Sequence, residues 1–391
     1  MFQTKDASSA NKKTVRIGLI GHMFMGRAHS NAFRNAAQLY DLPCNVAMTA
    51  VCAKDTSENL AAFAARFGWE SCETDWRKLV ARKDIDLVSV ATPGNLHKEM
   101  VLEAARHGKH ILCEKPLANS LPDAEQMLAA VQKAGVKHCC GFSYRGSPAQ
   151  ALARQFVEQG KIGKIHHVYA RYAQDWSSSP GFPMVWRFDK HAAGSGSLGD
   201  IAAHSIDATR FITGLKFTEI IGNLKTIIPE RPMRADDPTG PKQKCTVDDV
   251  AQFLCNFDNG AVGCFEATRM AVGRKNANRI EVNGEKGSLV WDFSEQNYLY
   301  YYDRTEPAAQ QGFRKIDVTN SAHPFGGGPW PDGHGIGYAD CLMIEVANFL
   351  KVVCGESAPN ADFSDGVECQ RVLDAVERSA AERKWITLGG R

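Results

Sequence analysis

The chain has 391 residues, 44% hydrophobic and 23% charged, with a formal net charge of +2. At roughly 100–200 residues per domain this is two domains, and the near-neutral balance excludes the basic footprint of a nucleic-acid or anionic-membrane binder. No run of about 18 apolar residues offers a membrane span, and none of the twelve cysteines pairs at zinc-knuckle or thioredoxin spacing.

Residues 1–13 are polar, without an apolar signal core, and are expected to form a disordered leader on a cytoplasmic protein. Val15–Ile20 is a β-branched run stopping at Gly21, and a helix is expected over Gly26–Asn35. Strands at Val46–Cys52, Asp86–Ala91, His110–Cys113 and Lys137–Phe142 alternate with helices at Ser57–Phe67, Leu96–His107 and Leu121–Ala134. Such alternation predicts a parallel sheet with crossover helices, an α/β unit over residues 14–142. Beyond it, after a helix at Pro148–Gln159, the pattern turns antiparallel. Strands are expected at Ile165–Tyr172, Val250–Phe257, Ala261–Thr268, Arg279–Gly284, Gly287–Phe293 and Leu299–Asp303. Helices Tyr338–Cys354 and Gly366–Arg383 close the chain, and residues 228–244 and 320–337 read as long irregular stretches. Cys52, Cys113 and Cys255 lie inside apolar runs and read as free buried thiols of a reducing compartment.

Three motifs carry chemistry. In Gly21-His22-Met23-Phe24-Met25-Gly26 a strand turns into a helix, where a dinucleotide pyrophosphate sits on backbone N–H groups. Met23 replaces the middle glycine of that fingerprint, so its side chain has to point away. At the tip of the next strand, Lys54 suits a 2′-phosphate and Asp55 a ribose hydroxyl. Both also suit a solvated turn, which leaves NAD and NADP open. Thr92-Pro93-Gly94-Asn95-Leu96-His97 and Cys113-Glu114-Lys115-Pro116 follow buried strands at the carboxyl edge of the sheet, where such folds bind ligands. Lys115, fixed by a proline turn, can hydrogen-bond a substrate hydroxyl and favour its ionisation. Finally, Gly194–Asp207 places Asp200 and His204 four residues apart on one helical face. A histidine oriented by a carboxylate is the base that alcohol oxidation needs. A capping aspartate with a core histidine is the plainer alternative, and no further ligand at suitable spacing completes a metal site.

In this order, the motifs resemble the glucose–fructose oxidoreductase / inositol dehydrogenase / rhizopine-catabolism family, from Val15 to about Ala381. The resemblance implies a Rossmann doubly wound parallel sheet over 14–142 and a C-terminal α/β domain over 143–391 with a large, mostly antiparallel sheet. The second domain would bind substrate and self-associate as a homodimer or homotetramer. Lys115, Asp200 and His204 would be the catalytic trio, with His204 as base. Thr92, Pro93, Asn95, His97 and Glu114 would flank the cofactor, NAD or NADP, beside Gly21, Met23, Phe24, Met25, Gly26 and Lys54. A cis peptide before Pro116 is also implied. Within the family, segments such as Tyr172-Ala173-Gln174-Asp175-Trp176, Trp186-Arg187-Phe188 and Ala322-His323-Pro324 are similar to the levoglucosan and glucoside dehydrogenase branch. Tyr144, Arg145, Asp175, Trp176, Arg187 and His323 are accordingly the expected sugar contacts, with Trp176 or Trp186 stacking on a pyranose. The implied activity is hydride transfer between a nicotinamide and a secondary alcohol of a sugar, glycoside or cyclic polyol. A redox-neutral NAD-dependent glycosidase, a keto-sugar reductase using NADPH and a non-catalytic ligand sensor are the alternatives.

Overall fold

A computed structural model describes residues 12–54, 58–326 and 329–389. Asp55 and residues 1–11 of the expected leader lie outside the described residues. Lys12 and Lys13 are tied down: Lys12 Nζ donates to the Leu42 carbonyl at 2.7 Å, and the Lys13 carbonyl accepts from Asn45 N at 2.9 Å.

The first sheet consists of β1 (Thr14–Ile20), β2 (Asn45–Cys52), β3 (Ser71–Glu73), β4 (Leu87–Val90), β5 (His110–Cys113) and β6 (His138–Cys140). Its spatial order is β3-β2-β1-β4-β5-β6, all parallel, the doubly wound arrangement. The chain order of the strands reverses between β1 and β4, and ligands of such sheets bind outside the carboxyl ends at that point. The central strands β1, β4 and β5 are largely buried on both faces, because helices α1 (Phe24–Leu39), α2 (Glu58–Phe67), α3 (Trp76–Ala81), α4 (His97–Arg106) and α5 (Leu121–Ala134) cover the sheet.

The second sheet has nine strands in the order β16-β15-β14-β13-β7-β12-β11-β8-β17. They are β7 (Ile165–Ala173), β8 (Phe217–Lys225), β11 (Val250–Phe257), β12 (Val262–Thr268), β13 (Ala277–Gly284), β14 (Gly287–Asp292), β15 (Tyr298–Asp303), β16 (Phe313–Asp317) and β17 (Ile386–Thr387). Only β7 and β12 pair in parallel. Alternation gives the sheet two faces: Ala251, Phe253, Cys255 and Phe257 of β11 turn inward, whereas Gln252 and Leu254 are exposed. Helices α6 (Pro148–Glu158), α7 (Lys190–Ala193), α8 (Ala203–Thr213), α9 (Tyr338–Val353) and α10 (Phe363–Glu382) complete the chain. Residues 228–244, which read as irregular, contain a hairpin of β9 (Glu230–Arg234) and β10 (Asp237–Lys244). Its three prolines, Pro232, Pro238 and Pro241, are tolerated because both strands are edges.

Chain order and packing do not coincide. Helix α9 lies against α1, and its Leu342, Met343, Val346, Phe349 and Leu350 share one apolar core with Ile17, Leu19 and Phe33. Among the described residues no helix is long and apolar enough to cross a membrane.

Candidate active site

Gly21 ends β1 with φ +107°, a conformation that favours glycine. A Cβ there would lie 2.4 Å from the Ala91 carbonyl oxygen, and one on Gly26 would lie 2.2 Å from that of Gly21. The two glycines thus let β1, α1 and the end of β4 close on one another. No side chain caps α1 at Met23, so its first-turn N–H groups point out of the turn without a side-chain partner. Met23 and Phe24 hold their side chains outward, 68% and 63% exposed. Phe24 stacks on Tyr338 of α9, ring centroids 6.3 Å apart. An uncapped helix start after a glycine turn fits a dinucleotide pyrophosphate, despite Met23 in the middle position. Lys54 is exposed just beyond β2.

The loop after β4 is braced from within. His97 is buried, with Nε2 at 2.9 Å from the Thr92 carbonyl and Nδ1 at 3.2 Å from that of Leu117. It therefore ties the Thr92-Pro93 turn to the segment after Lys115. Asn95 is exposed at the edge of this loop. Glu114 is buried: Oε1 meets His29 Nε2 at 2.8 Å, and Oε2 accepts from Lys115 N at 3.1 Å. His29 Nδ1 is in turn 2.7 Å from Ser89 Oγ. Both carboxylate oxygens are thereby engaged inside the Rossmann domain. The Lys115–Pro116 peptide bond is cis.

Lys115 reaches from the Rossmann side to the second domain. Its Nζ donates to the Asp200 carbonyl at 2.6 Å and stands 3.4 Å from Asp200 Oδ1. Asp200 Oδ2 accepts from Arg269 Nη2 at 2.8 Å. These two cations, with Arg187 nearby, hold the Asp200 carboxyl far below the usual carboxylate range against the effect of burial. No hydrogen bond joins Asp200 to His204 among the described residues, although a four-residue spacing predicts that they share a face. The reason is local: Leu198–Ala202 winds as a π-helix, whose wider turn shifts the register. Asp248 holds this turn, accepting from Gly196 N at 2.7 Å, Ser197 Oγ at 2.6 Å and Leu198 N at 2.9 Å.

His204 sits between two tyrosines, its ring 4.8 Å from that of Tyr144 and 6.0 Å from that of Tyr172. Desolvation, then the charge of Lys115, drives its pKa well below the ordinary imidazole value, so it is neutral at neutral pH. Neutral imidazole is the form able to accept a proton.

The expected sugar contacts separate into groups. Tyr144 lies beside His204. Arg145 turns inward, its guanidinium bonded to Asp207 at 2.6 and 2.9 Å and to Asp365 at 3.0 Å, which makes it a structural ion pair. Trp176 has Phe188 stacked at 5.6 Å and the Arg269 guanidinium over its ring at 5.2 Å, so it serves as a wall. Asp175 pins the loop before β13, accepting from Gly273 N and Lys275 Nζ at 2.9 Å each. Trp186 is exposed under the Arg187 guanidinium, 4.4 Å away. His323 lies in the turn after β16, near Asp317. No ring contact or hydrogen bond joins Trp186 or His323 to Lys115, Asp200 or His204 among the described residues. Arg269, Asp248, Asn276 and Tyr338 belong to the site's surroundings without having been singled out as site residues. Each comes from an element 50 or more residues from its partner, at separations where spacing carries no signal.

A doubly wound sheet with a pyrophosphate-ready turn, whose Lys115 meets Asp200 beside His204 of a second sheet domain, defines a nicotinamide-dependent oxidoreductase. Residues 15–142 match the oxidoreductase family with NAD-binding Rossmann fold, and residues 151–290 match the GFO/IDH/MocA C-terminal domain. The chain belongs to the GFO/IDH/MocA oxidoreductase family. It is 39% identical over 386 residues to levoglucosan dehydrogenase of Pseudarthrobacter phenanthrenivorans, covering 96% of this chain and 98% of that one. A solved oxidoreductase domain protein from Kribbella flavida superposes with a TM-score of 0.93 at 47% identity, covering 97% and 100% of the two chains. Levoglucosan dehydrogenase in complex with NADH and levoglucosan gives 0.91 at 38% identity, covering 96% and 100%. Among the described residues, no group of three or more His, Cys, Asp or Glu could hold a metal ion.

Proposed function

We propose that the chain oxidises a secondary alcohol of a sugar or sugar glycoside with NAD, acting like the levoglucosan dehydrogenase it is similar to. The observation that carries this reading is the contact of Lys115 with Asp200 across the cleft, beside a neutral His204. When bound, NAD supplies the hydride acceptor, held by the Gly21–Gly26 turn, the Thr92-Pro93 loop and the Lys115 segment. His204 takes the proton of the reacting hydroxyl. Lys115 donates a hydrogen bond to the same oxygen and lowers the energy of the alkoxide as it forms. Asp200 stays ionised under Arg269 and fixes the ammonium of Lys115, rather than the imidazole of His204. Tyr144 and Tyr172 pack against the His204 ring.

Leu254 and Val262, each 49% exposed on the uncovered face of the second sheet, support self-association as a dimer or tetramer. The free, mostly buried cysteines support a cytoplasmic setting.

The test is nicotinamide absorbance with purified protein, NAD or NADP, and a panel of levoglucosan, glucosides, free hexoses and inositols. Reduced cofactor should accumulate with a sugar of the first two kinds and with NAD. A flat trace across the panel from protein that still binds NAD would overturn the dehydrogenase reading.

A further inference from the structure

One wall of the cleft is a strip of polar side chains whose hydrogen-bond directions are fixed by its first member. The Trp176 indole N–H is a donor with no acceptor capacity. It lies 3.0 Å from Gln174 Oε1, so Gln174 must present its oxygen there. Gln174 Nε2 is then the atom facing Asn276, and it donates to Asn276 Oδ1 at 2.8 Å. The same Oδ1 accepts from the Tyr172 hydroxyl at 2.7 Å. With its proton committed, Tyr172 can only accept from the Tyr144 hydroxyl, 2.9 Å away. The protons of the strip therefore converge on Asn276 Oδ1, from Trp176 at one end and from Tyr144 at the other.

What remains free is donor. Asn276 Nδ2 has one long contact, 3.5 Å to the Tyr144 oxygen, and Asn276 is half-buried. The strip begins at Trp176, under Arg269 and hence beside Asp200, and ends at Tyr144, beside His204. Asn276 thus stands between the two catalytic candidates of the second domain. The charged groups nearby, Lys115, Arg187 and Arg269, are donors as well, and the Asp200 carboxylate is engaged by two of them. His204 is the acceptor in the cleft, and the reacting hydroxyl uses it.

We propose that Asn276 is a specificity-determining residue that reads a substrate oxygen carrying no proton, the ether oxygen of an anhydro bridge or a glycosidic link. This rests on the dehydrogenase reading above and deepens it. An ether oxygen accepts the Asn276 N–H and brings nothing that needs an acceptor. A free hydroxyl at the same place brings a proton into an acceptor-poor wall, and an unmade hydrogen bond there costs about 10–100-fold in binding. Trp176 acts through Gln174 to hold the amide in its donating orientation and is a positioning residue. Asp175 does so through the backbone, by anchoring Gly273 and Lys275 of the same loop.

The experiment compares 1,6-anhydroglucose and a methyl glucoside with free glucose, by kcat/KM with NAD and by Kd on NADH-loaded protein. Wild-type protein should favour the ether sugars. Asn276→Asp, which keeps the shape and replaces the donor by an acceptor, should lower that preference by about 10–100-fold, chiefly in KM. Trp176→Phe, which adds no charge, should lower it less, by freeing Gln174 to turn, and should leave the acid limb of the pH profile in place. Asn276→Ala serves if the Asp variant does not fold, with the same direction of change. A wild-type preference for free glucose, or a preference unchanged in the variants, overturns the proposal. Absence of turnover in wild-type protein, with a Kd preference that the variants still shift, would sink the dehydrogenase reading and leave the Asn276 assignment standing.

Discussion

On the Rossmann side of the cleft the working surface is main chain: two glycines, an uncapped helix start and a proline turn. On the facing side it is charged and polar side chains, with Asp200 held between Lys115 and Arg269 and the π-helical turn held by Asp248. Main-chain sites tolerate side-chain variety, which is why Met23 can occupy a position where glycine is usual. Side-chain sites depend on partners brought from distant strands, and each partner is a separate point of failure.

The largest effects are expected at His204 and at Lys115, the side chain that crosses from the Rossmann side to the charged cluster. His204→Ala and Lys115→Ala should each reduce turnover by about 100–10,000-fold, the usual contribution of a positioned acid–base group. NAD binding, followed by calorimetry, should survive both. Turnover at the wild-type rate in either variant would break the division between the two halves.

On the main-chain half, Gly21→Val should raise the Kd for NAD by about 10–100-fold, since a side chain at φ +107° clashes with the Ala91 carbonyl. Met23→Ala, whose side chain points outward, should change it less than about threefold, in line with an ordinary surface substitution. If the two variants bound NAD equally, the backbone account of that side would be wrong.

The smallest effect is on pH. Because the folded protein holds the His204 pKa well below 6.5, kcat/KM should be level through neutrality and fall only below the ordinary imidazole value. The sign for stability follows: the unfolded chain takes up a proton at His204 that the folded one refuses. Stability from this group is present above pH 6.5 and is lost as the pH falls below it. Asp200, with its pKa lowered, adds stability above the unfolded carboxylate value of 3.8, lost on further acidification. An activity limb at or above 6.5 would mean that His204 is less desolvated than its surroundings indicate.

The same contrast governs what could be read from the residues alone. Strands β1, β2, β4, β5 and β6, the Gly21 turn and the Lys115-Pro116 turn are written in short spacings, so period and punctuation reveal them. The Asp200/His204 pair was visible, yet its partnership was not, because the π-helical winding depends on Asp248, some 50 residues away. Arg269 and Asn276 are ordinary polar residues until β12 and β13 set them beside β7. The β9–β10 hairpin was hidden by its prolines, which signal breaks more strongly than they signal edges. Arg145 and Asp175 have side chains that suit a sugar, but their charge is spent on neighbours inside the fold.

Helix α9 has a consequence for how the protein is made. Strand β1 shares its core with Leu342, Val346 and Phe349, which leave the ribosome long after it. The dinucleotide half is therefore synthesised well before it can be finished, with an oily flank bare in the meantime. Chains exposing such a flank are prone to aggregate, and they are natural clients of chaperones that bind apolar surface.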